Sequence, residues 1–148
     1  MEGSSVYKIL PEHNVYILKF LGELNMNSIK PIMIEVFSDK EYDSKFNGII
    51  DFRNVNMNFK KEEIEIYFNF LASQNALNKR KVALLTETPS QVYHLTLFEE
   101  QSKKSQLPIL FKIFSTLEAS LDWLEIKYKD NFELTANIQE ILSTKSNR

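Results

Sequence analysis

Apolar residues follow two periodicities along the chain, and the points where one replaces the other mark its elements. "VYKIL" (6–10) and "NVYILKFLGEL" (14–24) are rich in β-branched and aromatic residues, and Pro11-Glu12-His13-Asn14 between them is a turn signal. The two runs predict a β-hairpin. Over 27–42 the spacing becomes helical, with Ile29, Ile32, Met33 and Val36 on one face. Pro31 is expected in the first turn of that helix, where amides lack intrahelical partners. "GIIDF" (48–52) reads as a short buried strand, and "RNVNMNF" after it alternates polar and apolar through Val55, Met57 and Phe59. A helix over 60–77 turns Ile64, Tyr67, Phe68 and Leu71 toward the core. "VALLT" (82–86) is a buried strand, Pro89 to Lys104 a helix, "PILFKIF" (108–114) a strand and "STLEASLDWL" (115–124) its helix. Leu134, Ile138, Ile141 and Leu142 give the last segment a helical period.

This order predicts an α/β fold: an N-terminal β-hairpin leading into a mostly parallel sheet of about five strands. Right-handed crossover helices pack on it, and an extra helix follows at the C-terminus. In such sheets a site forms in the loops outside the carboxyl ends of the strands. Those loops are expected to begin at Arg53, Thr86 and Ser115.

Composition narrows the function. The chain has 148 residues, one domain by size. Zero cysteines exclude disulfides, thiolate metal sites and cysteine nucleophiles. With no charged leader followed by an apolar stretch at the start, a cytoplasmic location is expected. No apolar run approaches the roughly 18 residues of a bilayer span. A net charge of −2 and a pI near 5.8 argue against nucleic acid as partner. Three glycines leave no phosphate-binding glycine loop.

Thr88-Pro89-Ser90-Gln91 fits a capping box with Pro89 at the first helical position, and Ser115-Thr116-Leu117-Glu118 fits the same pattern. Helix capping explains these residue types, although amides and hydroxyls at two adjacent helix starts also suit an anion. His94 falls mid-helix beside Leu97 and Phe98. No cysteine accompanies it and His13 lies in the distant hairpin turn, so it reads as solvent-facing or interfacial rather than as a metal ligand. Glu87, Glu99 and Glu100 read as a solvated helix end. No catalytic constellation, metal or cofactor is expected.

"GIIDFRNVNMNF" (48–59), "RKVALLTETPSQVYHLTLFEE" (80–100) and "LPILFKIFSTLEASLDWL" (107–124) together resemble the SpoIIAA-like (STAS-type) superfamily of small α/β domains. That group is fold-related to the lipid-binding Sec14/CRAL-TRIO domains. With the hairpin, the resemblance covers about residues 6–124; it implies a domain over 1–124 and a C-terminal extension over 125–148. Members resembling this chain are mostly uncharacterised bacterial proteins. Better-known relatives are anti-anti-sigma factors that bind a kinase and are switched by phosphorylation of a serine near the start of the helix after the 48–52 strand. Here Asn54 to Lys61 holds no serine or threonine, so the resemblance implies the fold and a binding role without that switch.

Two helices carry more apolar surface than one core stripe needs. In 60–77, Phe59, Ile66, Phe70 and Leu77 fall about 140–240° from the core stripe. In the helix from Pro89, Val92 and Leu95 form one side, while Tyr93, Leu97 and Phe98 spread around the rest. Three explanations stand: a homodimer or partner interface using Ile66, Phe70, Tyr93 and Leu97, cover by the C-terminal segment, or a pocket for an apolar ligand. The leading expectation is a non-enzymatic regulatory or protein-interaction module that dimerises. The alternative is a carrier or sensor of a small apolar ligand such as a fatty acid, suggested by the lipid-binding fold relatives and by 11 phenylalanines. In it Asp51, Arg53, Thr86, Thr88 and Ser115 orient a head group, with Arg53 pairing a carboxylate. Asp51 and Arg53 also read as a local ion pair.

Overall fold

The computed structural model describes residues 3–74 and 78–145. β1 (Ser4–Leu10) and β2 (Val15–Asn25) form the expected antiparallel hairpin, closed by a 3-10 turn over Pro11–His13 and by Asn14 in the left-handed region at φ 52°. Asparagine tolerates that conformation better than most residues. Then follow α1 (Met26–Ser38), β3 (Asn47–Asn58), α2 (Lys61–Ser73), β4 (Arg80–Leu85), α3 (Pro89–Ser105), β5 (Ile109–Phe114), α4 (Leu117–Trp123) and α5 (Phe132–Leu142). The five strands lie in sequential order, β2 to β5 all parallel.

Helices cover both faces. α1, α2 and α3 bury Ile29, Met33, Ile64, Phe68, Leu95 and Phe98 against Leu18, Phe20, Ile50 and Leu84. On the opposite face Leu121 of α4 and Leu134, Ile138 and Leu142 of α5 pack on Ile17, Ile49, Ala83 and Leu85. Strands buried on two sides must be apolar at every position rather than at alternate ones, and Val15 to Gly22 is buried throughout. The central pair is also close-fitting: the Tyr16 ring lies over Gly48, its partner across the β2–β3 register, and a Cβ there would collide with it.

Four details differ from the sequence reading. β3 runs on to Asn58, absorbing the alternating segment, because one extra residue is inserted into it. Lys19 pairs with Asp51 and Leu21 with Asn54, so Phe52 and Arg53 stand opposite Phe20 alone. This β-bulge shifts the phase of the strand by one residue, and the core-facing set changes from Ile50 and Phe52 to Val55 and Met57. The first loop therefore begins after Asn58, not at Arg53. α1 starts at Met26 because the Asn25 side chain accepts from the Ser28 amide (3.2 Å), which leaves Pro31 in the second turn. Its missing amide deprives the Asn27 carbonyl of a partner, but both residues are exposed. Thr116 rather than Ser115 caps α4, accepting from Ala119 N at 3.2 Å. Finally, α5 covers the sheet face opposite α2 and α3, so it shields neither of their outer surfaces.

Burial of the aromatic layer makes the fold sensitive to alkali. Tyr7 is pushed up to about 12, first by burial and then by donating to Asp39 Oδ2 at 2.9 Å. Burial raises Tyr16 and Tyr67 too. A raised phenol pKa favours the neutral form in the folded chain. That stability is complete below the unfolded value of 10.0 and is lost as the pH climbs through about 12. Tyrosinate absorbance of the folded protein is expected to lag behind that of urea-unfolded protein above pH 10.0, while the denaturation midpoint falls over the same range. Tyr7→Phe should remove part of that fall. Ionisation of all six tyrosines near pH 10.0 in folded protein would contradict this packing.

Candidate functional site

The expected head-group residues lie near the carboxyl ends of the strands, where the extra residue in β3 sits. Asp51 is fully buried, on the α4–α5 side of the sheet. Arg53, on the same strand, meets it in a two-pronged ion pair: Nε donates to Oδ1 and Nη2 to Oδ2, each at 3.0 Å. The Arg53 amide donates to Oδ1 as well, at 2.9 Å. Those hydrogen bonds hold the guanidinium firmly protonated, with Glu87 and Glu118 adding to the effect. The local ion pair is thus the reading that the geometry bears out for these two residues.

Lys19 stands opposite Asp51 in the β2–β3 register and is equally withdrawn from water. Burial lowers its pKa, and Asp51 opposes that fall. Its ammonium donates to the Leu142 carbonyl in the last turn of α5, where carbonyls have no helical partner and the helix end is negative. One buried lysine thereby fastens the C-terminal helix to the sheet.

Gln91 closes the neighbouring loop. The capping box at Thr88 forms as expected, with Gln91 N donating to Thr88 Oγ1 at 3.2 Å and Thr88 N to Gln91 Oε1 at 3.1 Å. The Gln91 side chain does more than that. Oε1 also accepts from Glu87 N at 2.8 Å, and Nε2 donates to the carbonyls of Val55 (3.0 Å) and Arg53 (3.3 Å). Every hydrogen-bonding valence of this buried amide is used to tie α3 to β3 beyond the bulge. Thr86 is buried and its amide donates to Phe114 O at 3.0 Å; Ser115 is exposed beside the α4 cap. The structure therefore brings Asp51, Arg53, Thr86 and Thr88 to one end of the sheet, but Asp51, Arg53 and Gln91 spend their polar capacity on one another and on backbone.

The four expected interface residues divide. Ile66 and Tyr93 each stand 63% exposed, in the second turns of the adjacent helices α2 and α3. Phe70 is half-buried against Tyr67 (5.9 Å between ring centroids), with Lys30 Nζ 5.0 Å from its ring centre, and Leu97 packs on the core. Phe59 precedes α2 and is buried, Leu95 is core and Val92 faces outward. Leu77 lies outside the described residues. His94 bonds the Ser90 carbonyl through Nδ1 (2.8 Å) and meets Phe59 edge-on.

Among the described residues no three His, Cys, Asp or Glu side chains group as a metal site, and no helix is long and apolar enough to cross a membrane. Lys19 carried no signal as a site residue in the sequence, and for Gln91 only the capping box was legible, since Leu142, Arg53 and Val55 lie far along the chain. The one hint at Lys19 is a lysine inside an otherwise apolar strand.

No family model matches the chain, and no curated protein matches it. A solved structure does: an uncharacterised protein of the DUF3478 family with a SpoIIAA-like fold, from Shewanella loihica PV-4. It superimposes with a TM-score of 0.51 at 15% sequence identity, over 82% of this chain and 93% of that one. The chain has a SpoIIAA-like α/β fold.

If the strand-end cluster is a structural device, removing one partner must destabilise the chain. Arg53→Met leaves the buried Asp51 carboxylate without its ion pair and should cost about 3 kcal/mol in urea unfolding. Adding Asp51→Asn should recover part of that loss, because the carboxylate left without its arginine is then gone, although Lys19 loses the charge that faces it. A single variant as stable as the parent would remove the structural role.

Proposed function

We propose that the chain is a non-enzymatic regulatory or protein-interaction module of the SpoIIAA-like type, which docks a second copy of itself through the outer face of α2 and α3. The observation that carries this reading is the pair Ile66 and Tyr93, each 63% exposed in the second turn of its helix. Both helices already bury a full inner stripe (Ile64, Tyr67, Phe68 and Leu71; Leu95 and Phe98), so the outer apolar residues add nothing to the core. Apolar surface of this kind, rimmed by charged residues such as Glu62 and Glu65, suits association. The stretch Asn54–Lys61 offers no hydroxyl for phosphorylation, so regulation would run through association itself.

The carrier reading with its head group at Arg53 finds less support. A carboxylate head group at Arg53 has to displace Asp51, and the space enclosed between the sheet and α1–α3 is about 20 Å³, room for a single water rather than an acyl chain.

Sedimentation velocity over a range of concentrations tests the proposal. The parent chain should sediment as a dimer, and Ile66→Glu combined with Tyr93→Glu as a monomer with an unchanged circular dichroism spectrum. A parent that stays monomeric at every concentration would overturn it.

A further inference from the structure

A second arginine lies at the opposite end of the sheet, and its situation is the reverse of Arg53's. Arg80 opens β4 and is 7% exposed. Its Nη1 donates to the Ser44 carbonyl at 3.1 Å. Among the described residues it has no further side-chain hydrogen bond, and no carboxylate reaches it: the ion pairs are Lys8–Glu140 and Arg53–Asp51. A guanidinium has five N–H donors, so a buried one served by a single carbonyl is under-used. Beside it the Tyr42 hydroxyl is buried and, among the described residues, unpartnered.

Both groups line a cleft of about 260 Å³ together with Phe37, Ser44 and Gln74. Tyr42 is held there by its turn, its amide donating to Asp39 O at 3.0 Å, and by aromatic contacts with Phe37 (5.2 Å) and Tyr16 (6.0 Å). The cleft thus combines one fixed positive charge, neutral hydroxyls and aromatic walls.

We propose that Arg80 and Tyr42 form a binding site for a small organic monocarboxylate with an apolar body. A carboxylate accepts two parallel guanidinium hydrogen bonds and brings the single negative charge that one arginine balances. A phosphate dianion would bring a second charge, with the Asp43 carboxylate close enough to act on Tyr42. The Phe37 and Tyr42 rings supply the surface for the apolar body. This site lies past the C-terminal end of α2, whereas Ile66 and Tyr93 stand in the second turns of their helices, so it stands or falls separately from self-association.

Titration calorimetry with benzoate and with hexanoate, and inorganic phosphate as the contrasting anion, tests the proposal on the full chain. At least one carboxylate should bind saturably in the millimolar range with one site per chain, and phosphate should not. Arg80→Met should weaken binding by about tenfold or more, the expected loss for a charged hydrogen bond. Tyr42→Phe, which removes one buried hydroxyl and leaves the fold intact, should weaken it by a smaller factor. If Arg80→Met fails to fold, the Tyr42→Phe titration decides. No saturable binding of either carboxylate, equal binding of phosphate, or affinity unchanged in Tyr42→Phe and in a folded Arg80→Met would each overturn the assignment.

Discussion

Two opposite charges placed side by side in the middle of a doubly covered sheet set much of the surrounding geometry. From Val15 to Gly22 every residue of β2 is buried, and Lys19 is the one charge among them. A charge withdrawn from water must be paired and hydrogen-bonded or the fold loses more than it gains. Lys19 meets this demand with its hydrogen bond to the carbonyl of Leu142, and the Asp51 charge across the strand pair favours its ammonium. Asp51 meets it with Arg53, which the extra residue in β3 accommodates. The seat of the C-terminal helix and the ion pair at the irregularity of the central strand thus meet at this one buried place.

The two arginines near the sheet show how burial and partnership separate structure from binding capacity. Arg53 is partly exposed and held by two donors to a carboxylate two residues away. Arg80 is more deeply buried and engaged by one carbonyl. Sequence neighbours explain the first case, since residues two apart on a strand share a face. The second depends on the turn over 39–46, which brings Tyr42 and Ser44 to the start of β4 from the far side of β3.

Local patterns were legible wherever the physics is local. The capping box at Thr88 needs residues three apart, and it forms as written. The inner stripe of α2, Ile64, Tyr67, Phe68 and Leu71, follows from helical spacing and is the buried set. Spacing around 48–59 also held more than it first yields: apolar residues at 50 and 52, then at 55, 57 and 59, change phase between Phe52 and Val55, and the inserted residue lies in that gap. Pro31 and Ser115 misled for a shared reason. A helix start is chosen by whichever of several adjacent polar side chains reaches an amide, and Asn25 and Thr116 took that role.

Alternation and helical periodicity, which depend on neighbours within a few residues, were enough to determine the order of elements, the hairpin and the parallel sheet. Which face of the sheet each helix covers was beyond them. α5 has the same kind of apolar stripe whether it lies on α2 and α3 or on β1 and β2, and the stripe alone does not choose. The tertiary structure decides, because the uncovered sheet face offers Ile17, Ile49, Ala83 and Leu85 together with a buried ammonium in need of an acceptor. The same holds for both candidate sites. A residue's chemistry is written in the sequence, but whether its valences are already spent depends on partners tens of residues away.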